Sequence, residues 1–315
     1  MDANSPQLRG RILVTGGTGQ VGGELVKTLS ALGEVVAPAR DQMDLTDAGN
    51  IREVIRSVQP RWIVNPAAYT AVDKAEREPE LAYAINAEAV WVIGEEARRI
   101  GAGVIHFSTD YVFDGTSATP YVETDATGPV SVYGASKLAG EQALVESGAP
   151  YMIFRTSWVY GTRGKNFLLT ILKLARERES LRIVADQHGA PTWSRDLADM
   201  TAHAIRHCED AVFEQGGNLD NALTELGGIY HAAGAGETTW HGFASEAIRL
   251  QREREPRIRF AVTEAITTAE YPTPAKRPVN SRMNCGKLAA RFGWSMMNWG
   301  ESLRAVMLEL RSGGS

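Results

Sequence analysis

Short runs of β-branched and aliphatic residues alternate with helix-like segments through the first half of the chain, and this alternation constrains the fold more than any other feature. Arg11-Ile12-Leu13-Val14-Thr15 leads into a helical stretch from Gly22 to Leu32, then Glu34-Val35-Val36-Ala37 and a second helical stretch around Ile51 to Val58. Next come Trp62-Ile63-Val64-Asn65, a long helix predicted from about Pro79 to Ile100, and Gly103-Val104-Ile105-His106-Phe107-Ser108. Strand, helix, strand in repetition predicts a parallel sheet with helices on both faces, because a chain that returns to the same strand direction must cross over, and the crossover helix covers a face.

Two further strands are predicted at Tyr151–Arg155 and Gly228–Ala232, each after a helical stretch. The carboxyl third changes character. Tyr271-Pro272-Thr273-Pro274 and Lys276-Arg277-Pro278-Val279-Asn280 read as loops, flanked by helical stretches near Gly242 to Arg254 and Gly300 to Leu310. Residues 214–228 read as a loop.

Composition matters here for what it excludes. A formal net charge of -5 gives no general electrostatic reason to bind nucleic acid or an anionic membrane. Cys208 and Cys285 stand far apart without Cys/His ligand spacing, so neither a disulfide framework nor a metal site is expected. Met1–Arg9 has no apolar core of leader length, and no segment approaches the roughly 20 apolar residues of a membrane span. A reducing, cytoplasmic setting is therefore expected.

Immediately after the first strand comes Gly16-Gly17-Thr18-Gly19-Gln20-Val21-Gly22. Gly16, Gly19 and Gly22 satisfy G-x-x-G-x-x-G; Gly17, Gly19 and Gly22 satisfy G-x-G-x-x-G. In either reading glycine permits a tight strand-to-helix turn and close backbone approach to a pyrophosphate, whose charge meets the amides at the helix start. An ordinary turn would use the same residues, but the position at the first strand-helix junction favours a dinucleotide site. At the end of the second strand, Arg40 would accept a 2'-phosphate and Asp41 would hold ribose hydroxyls. NADPH or NADH is thus the expected cofactor, with NADPH favoured. Asp44 and Leu45 are placed either to edge the adenine or, for Asp44, to cap the next helix.

Tyr133-Gly134-Ala135-Ser136-Lys137 puts a tyrosine and a lysine on one helix face. Hydride reduction of a ketone needs a proton delivered to the developing alkoxide, and a nearby ammonium lowers the pKa of a phenol. Ser108-Thr109-Asp110-Tyr111 ends the strand before it, where the carboxyl ends of parallel strands face the ligand crevice. Thr109 would then donate to a substrate carbonyl. The bland alternative is a turn cap at Ser108 and Thr109 and a surface pair at Tyr133 and Lys137.

With these residues the chain resembles the extended, nucleotide-sugar-modifying branch of the short-chain dehydrogenase/reductases, and within it the dTDP-4-dehydrorhamnose reductases. The likeness runs through Gly19-Gln20-Val21-Gly22, residues 64–76, Ser108–Phe113, Tyr133 with Lys137, and Phe154–Tyr160, then through Asp186–Thr192 and residues 271–282. It implies an α/β, Rossmann-type doubly wound parallel sheet with a smaller, mainly C-terminal α/β substrate lobe. The expected division is 1–160 with a later contribution from about 190–235 for the dinucleotide domain, and 161–189 with 236–315 for the lobe. It implies hydride transfer to C4 of a dTDP-linked 4-keto sugar, with Thr109, Tyr133 and Lys137 catalytic. Gly16, Gly19, Gln20, Val21, Gly22, Arg40, Asp44, Leu45, Ala67, Ala68 and Tyr69 would meet the cofactor, with Tyr133 and Lys137. Asp110 and Trp158 match substrate-contacting positions, and Arg277, with Lys276 and Arg282, offers cations for a diphosphate.

The resemblance also implies dimers bridged by magnesium through glutamates. Glu24 stands at one such position, but Arg195 and Gly300 stand at others, so no metal and a monomer or weak homodimer are expected. Alternatives of the same branch are an epimerase, a dehydratase or a non-catalytic regulatory subunit. A dehydratase would need Asp-Glu beside the threonine, and Asp110 is followed by Tyr111.

Overall fold

The computed structural model describes residues 10–312; the amino-terminal stretch read for a leader, Met1–Arg9, lies outside them. Six strands form one parallel sheet: β1 (Arg11–Val14), β2 (Glu34–Val36), β3 (Pro60–Asn65), β4 (Gly103–Thr109), β5 (Tyr151–Thr156) and β6 (Gly228–His231). Their spatial order is β2-β1-β3-β4-β5-β6. The order reverses between β1 and β3, so their carboxyl ends splay apart there and leave a crevice.

The strands read as continuous apolar runs because both faces are covered. Ile12, Val14, Trp62, Val64, Ile105, Phe107, Met152 and Phe154 face one layer, formed by α1 (Gln20–Leu29) and the helix Ser194–Gln215. Leu13, Ile63, Val104 and Ile153 alternate with them and face the other layer, α2 (Ala48–Val58) and the helix Ala89–Ile100. Register carries this alternation across the sheet: Val64 stands opposite Val14 and Ile105, and Ile105 opposite Met152. The next row places the polar pair Asn65 and His106 side by side near the strand ends.

Three sequence expectations are corrected. The segment read as a loop at 214–228 contains a helix, Leu219–Leu226, because Asn218 accepts from the Asn221 amide at 2.9 Å and Leu219, Ala222, Leu223 and Leu226 bury one face. The long helix from Pro79 is broken by a π-helical segment, Ala84–Glu88, before Ala89–Ile100 resumes. The third concerns the carboxyl half, where Ser180–Val184 pairs in parallel with Val262–Ile266, strands the apolar pattern did not reveal. These strands pack with the helices Phe167–Glu177 and Trp240–Arg254 in a separate small core.

Candidate active site

The crevice between β1 and β3 holds a cleft of about 180 Å³ lined by Thr15, Gly16, Gly17, Thr18, Arg40 and Asp44, closed by Leu45, Ala67 and Ala68. Two glycines make it. Gly16 has φ +57°, in the left-handed region, with Ala67 against the place a Cβ would take. At Gly22 a Cβ would collide with the Gly16 carbonyl oxygen, so only glycine lets α1 come so close to the loop. The amide of Gly19 closes the turn on Gly16 O at 2.8 Å. The helix start at α1, approached over glycines that carry no Cβ, fits a dinucleotide pyrophosphate.

Not every predicted contact points into this cleft. Gln20 accepts from Asn166 at 3.0 Å, and Val21 packs against the core. Asp44 accepts from both the amide and hydroxyl of Thr46, which hold its carboxyl below the usual range. The helix cap that Asp44 was weighed for is Asp47, which accepts from Gly49 and Asn50. Tyr69 hydrogen-bonds Glu78 through its hydroxyl, and its amide donates to Asn86 Oδ1 at 2.8 Å. Arg40 is exposed at the cleft rim.

Tyr133 and Lys137 lie on the helix Val132–Glu146, capped by Ser131 and packed across the end of β4. The Tyr133 phenol neighbours the Thr109 hydroxyl and the Asp110 carboxyl; desolvation pushes it up to about 12, against the Thr109 hydrogen bond. The net shift is upward, whereas the sequence reading expected a neighbouring ammonium to bring the phenol down. The Lys137 Nζ donates to Phe107 O at 2.7 Å and lies 3.1 Å from His106 Nε2. Burial brings Lys137 down to about 8, opposed by the Glu141 carboxylate. Thr109 donates to Asp110 Oδ1 at 3.0 Å and accepts from the Tyr111 amide. Asp110 is buried, and burial raises it to about 6 against hydrogen bonds from Ser281 and Thr109.

Sequence reasoning missed four residues that tie this group to the cleft. His106 Nδ1 lies 3.1 Å from Asn65 Nδ2, Asn65 Oδ1 accepts from Thr15 Oγ1 at 2.5 Å, and Thr15 Oγ1 accepts from the Ala67 amide. Asn86, in the π-helical segment, donates to Ser136 and to Tyr69 O, joining the helix Val132–Glu146 to the cleft wall. For Asn65 and His106 the sequence signal was a polar residue within an apolar strand.

On the carboxyl side, Trp158 has φ +48°, rare for a bulky residue. Its ring stacks on Trp240 with centroids 3.7 Å apart, and Gly189 lies against it where a Cβ would not fit. Arg277 donates to Asp73 Oδ2 at 2.8 Å, keeps Nη1 buried and unpartnered, and neighbours Tyr111, whose ring meets Tyr133 edge-on. Arg282 is spent on Glu237, Asn280 and Ala118 O, which makes it a loop fastener; Lys276 is exposed.

Glu24 is buried among Arg195, Arg163 and Lys27, and Arg195 also pairs with Glu309. Cations already fill the surroundings of that carboxylate, which does not fit a bridging metal. Among the described residues no His/Cys/Asp/Glu group is arranged to hold a metal ion.

A sequence profile described as the RmlD substrate binding domain matches residues 10–312. A dTDP-4-dehydrorhamnose reductase of Burkholderia thailandensis is 46% identical over 304 residues, covering 96% of this chain and 99% of its own. The chain belongs to the dTDP-4-dehydrorhamnose reductase family. The dTDP-4-dehydrorhamnose reductase of Escherichia coli K12 is 45% identical over 305 residues, 95% of this chain and 97% of its own. The crystal structure of a dTDP-4-dehydrorhamnose reductase from Bacillus anthracis in complex with NADP superposes with a TM-score of 0.85 at 32% identity, covering 96% of this chain and all of that one. Membership in the dTDP-4-dehydrorhamnose reductase family makes the chain a nicotinamide-dependent oxidoreductase of the Rossmann-type extended short-chain class. Among the described residues no helix is long and apolar enough to cross a membrane.

Proposed function

We propose that this chain reduces the C4 keto group of dTDP-4-dehydro-L-rhamnose to give dTDP-L-rhamnose, with Tyr133 as proton donor. The observation that carries this reading is the gathering of Tyr133, Thr109 and Asp110 at the end of β4, joined through Lys137, His106, Asn65 and Thr15 to the wall of the glycine-loop cleft. NADPH or NADH, held by the Gly16–Gly22 loop, supplies the hydride when bound. With the hydride so supplied to the carbonyl carbon, Tyr133 would give its proton to the carbonyl oxygen, and the ketone would become a secondary alcohol. A phenol held up to about 12 keeps its proton at neutral pH, the state a donor needs.

Thr109 turns its hydroxyl from Asp110 to the arriving carbonyl, where a donor stabilises the growing negative charge. Arg277 offers its unpartnered Nη1 to the diphosphate, and the edge of Trp158 borders the sugar, its faces being taken by Gly189 and Trp240. Residues 161–189 and 236–315 form the substrate lobe in this reading. Arg40 at the rim favours NADPH.

The test is loss of absorbance at 340 nm with NADPH or NADH and the dTDP-linked 4-keto sugar, with a UDP-linked 4-keto sugar as comparison. Oxidation that requires the dTDP sugar is expected; none with any sugar would refute the assignment. Tyr133→Phe should cut kcat by at least about 100-fold, in line with general-acid contributions, whereas a near-normal rate would remove Tyr133 from that role.

A further inference from the structure

We propose that His106 is a positioning residue for Lys137: a buried, uncharged imidazole that accepts from the lysine when it is an ammonium and donates to it when it is an amine. This rests on the reading of Lys137 as part of the reductase site. The geometry comes first. Lys137 is 2% exposed, and its nitrogen has two protein partners, Phe107 O at 2.7 Å and His106 Nε2 at 3.1 Å. His106 is fully buried; burial, and then the Lys137 charge, hold it well below its ordinary range, so it stays neutral and does not repel the ammonium.

The other charged groups around the lysine are accounted for. On its own helix stand Tyr133 and Glu141, the latter committed to Arg155 of β5 through two hydrogen bonds. From β4 and its end come His106 and Asp110, and Asp110 is bonded to Thr109. His106 is therefore the one side chain in direct contact with Nζ among these.

A neutral imidazole has one donor and one acceptor nitrogen, so its two partners must be complementary. With Lys137 an amine, Nε2–H donates to Nζ, Nδ1 accepts from Asn65 Nδ2, and Asn65 Oδ1 accepts from Thr15, the orientation this structure has. With Lys137 an ammonium, Nε2 accepts, Nδ1 carries the proton and donates to Asn65 Oδ1 after the amide turns over, and Asn65 Nδ2 donates to Thr15. Thr15 lines the cleft, so its hydroxyl is then free to turn its proton there. The two arrangements differ by one proton, exchanged with solvent. Phe107 O accepts from the lysine in both states, but only a chain that ends in a turnable amide lets the imidazole accept from the ammonium and also donate to the lone pair of the amine.

The experiment is a ¹³C-lysine NMR titration of the free full-length protein, with the Lys137 signal assigned from Lys137→Met. In His106→Leu and His106→Met the ammonium loses an acceptor, so Lys137 should titrate at least about one unit lower than in the wild type, and the alkaline limb of kcat should move down with it. His106→Gln keeps an acceptor and a donor and should titrate within about half a unit of the wild type. Unshifted titration in the apolar variants, or a Gln variant shifted as far as they are, overturns the proposal. If the apolar variants do not fold, the Gln variant decides alone: an unmoved titration supports the role, and a shift of a full unit refutes it. A wild type that reduces no sugar would sink the proposed reaction, while the lysine titration would still judge His106.

Discussion

Asp110 is buried beside the Ser281 and Thr109 hydroxyls, whose hydrogen bonds only partly offset the loss of water around its charged form. Its folded pKa, about 6, is above the ordinary 3.8, mainly through desolvation. The penalty on the folded state is therefore present above about pH 6 and disappears as the pH falls towards 3.8. Relative to Asp110→Asn, the wild type should lose about 1–3 kcal/mol of stability between pH 4 and pH 7; denaturant melts of both proteins at the two pH values measure it, and parallel curves would contradict it. Arg40 is the other residue whose role is open to direct measurement. If it meets a 2'-phosphate, Arg40→Ala should weaken NADPH by roughly tenfold in fluorescence titration and leave NADH nearly unchanged; equal losses would count against the contact.

The helix that carries Tyr133 and Lys137 is set by an element the sequence pattern did not announce. At Gly140 a Cβ would collide with the Asn86 carbonyl oxygen, so the helix Val132–Glu146 and the π-helical segment approach each other only because that residue is glycine. Gly140→Ala should destabilise the fold by about 1–3 kcal/mol and lower kcat, since Asn86 also holds Ser136; calorimetry with steady-state kinetics reads both. The alternation of strands and helices, the glycine loop and the Tyr133–Lys137 spacing were legible because each is local, set by period or by contact with the backbone itself. The helix Leu219–Leu226 was legible in principle, its leucines falling on one face behind Asn218, but polar residues around them read as a loop. The chain through Thr15, Asn65 and His106 was not, because Thr15 follows β1 while Asn65 and His106 stand on β3 and β4, and only the packing of these neighbouring strands brings them together. The same holds for Trp158 and Trp240, 82 positions apart in the chain as numbered.

At the scale of the molecule, one layer of the sheet is covered by a helix from the second half of the chain: Ser194–Gln215 packs on α1, and Arg195 at its start reaches Glu24 and Glu309. A guanidinium between two carboxylates already supplies the counter-charge that a divalent cation would bring. Sedimentation velocity should accordingly give the same species with magnesium or with chelator, and a chelator-sensitive change in mass would show that Glu24 binds metal. Trp158 has a longer reach. Its backbone sits where few side chains rest, and its ring is held between Gly189 and Trp240. A larger residue at position 189 has no room until the tryptophan is surrendered, and a smaller one at 240 leaves its ring open on one side. A larger residue at position 189 must therefore follow a change at position 158 and cannot precede it, and if Trp158 borders the sugar as proposed, that fixed order narrows the mutational routes by which such a chain can drift toward a different substrate.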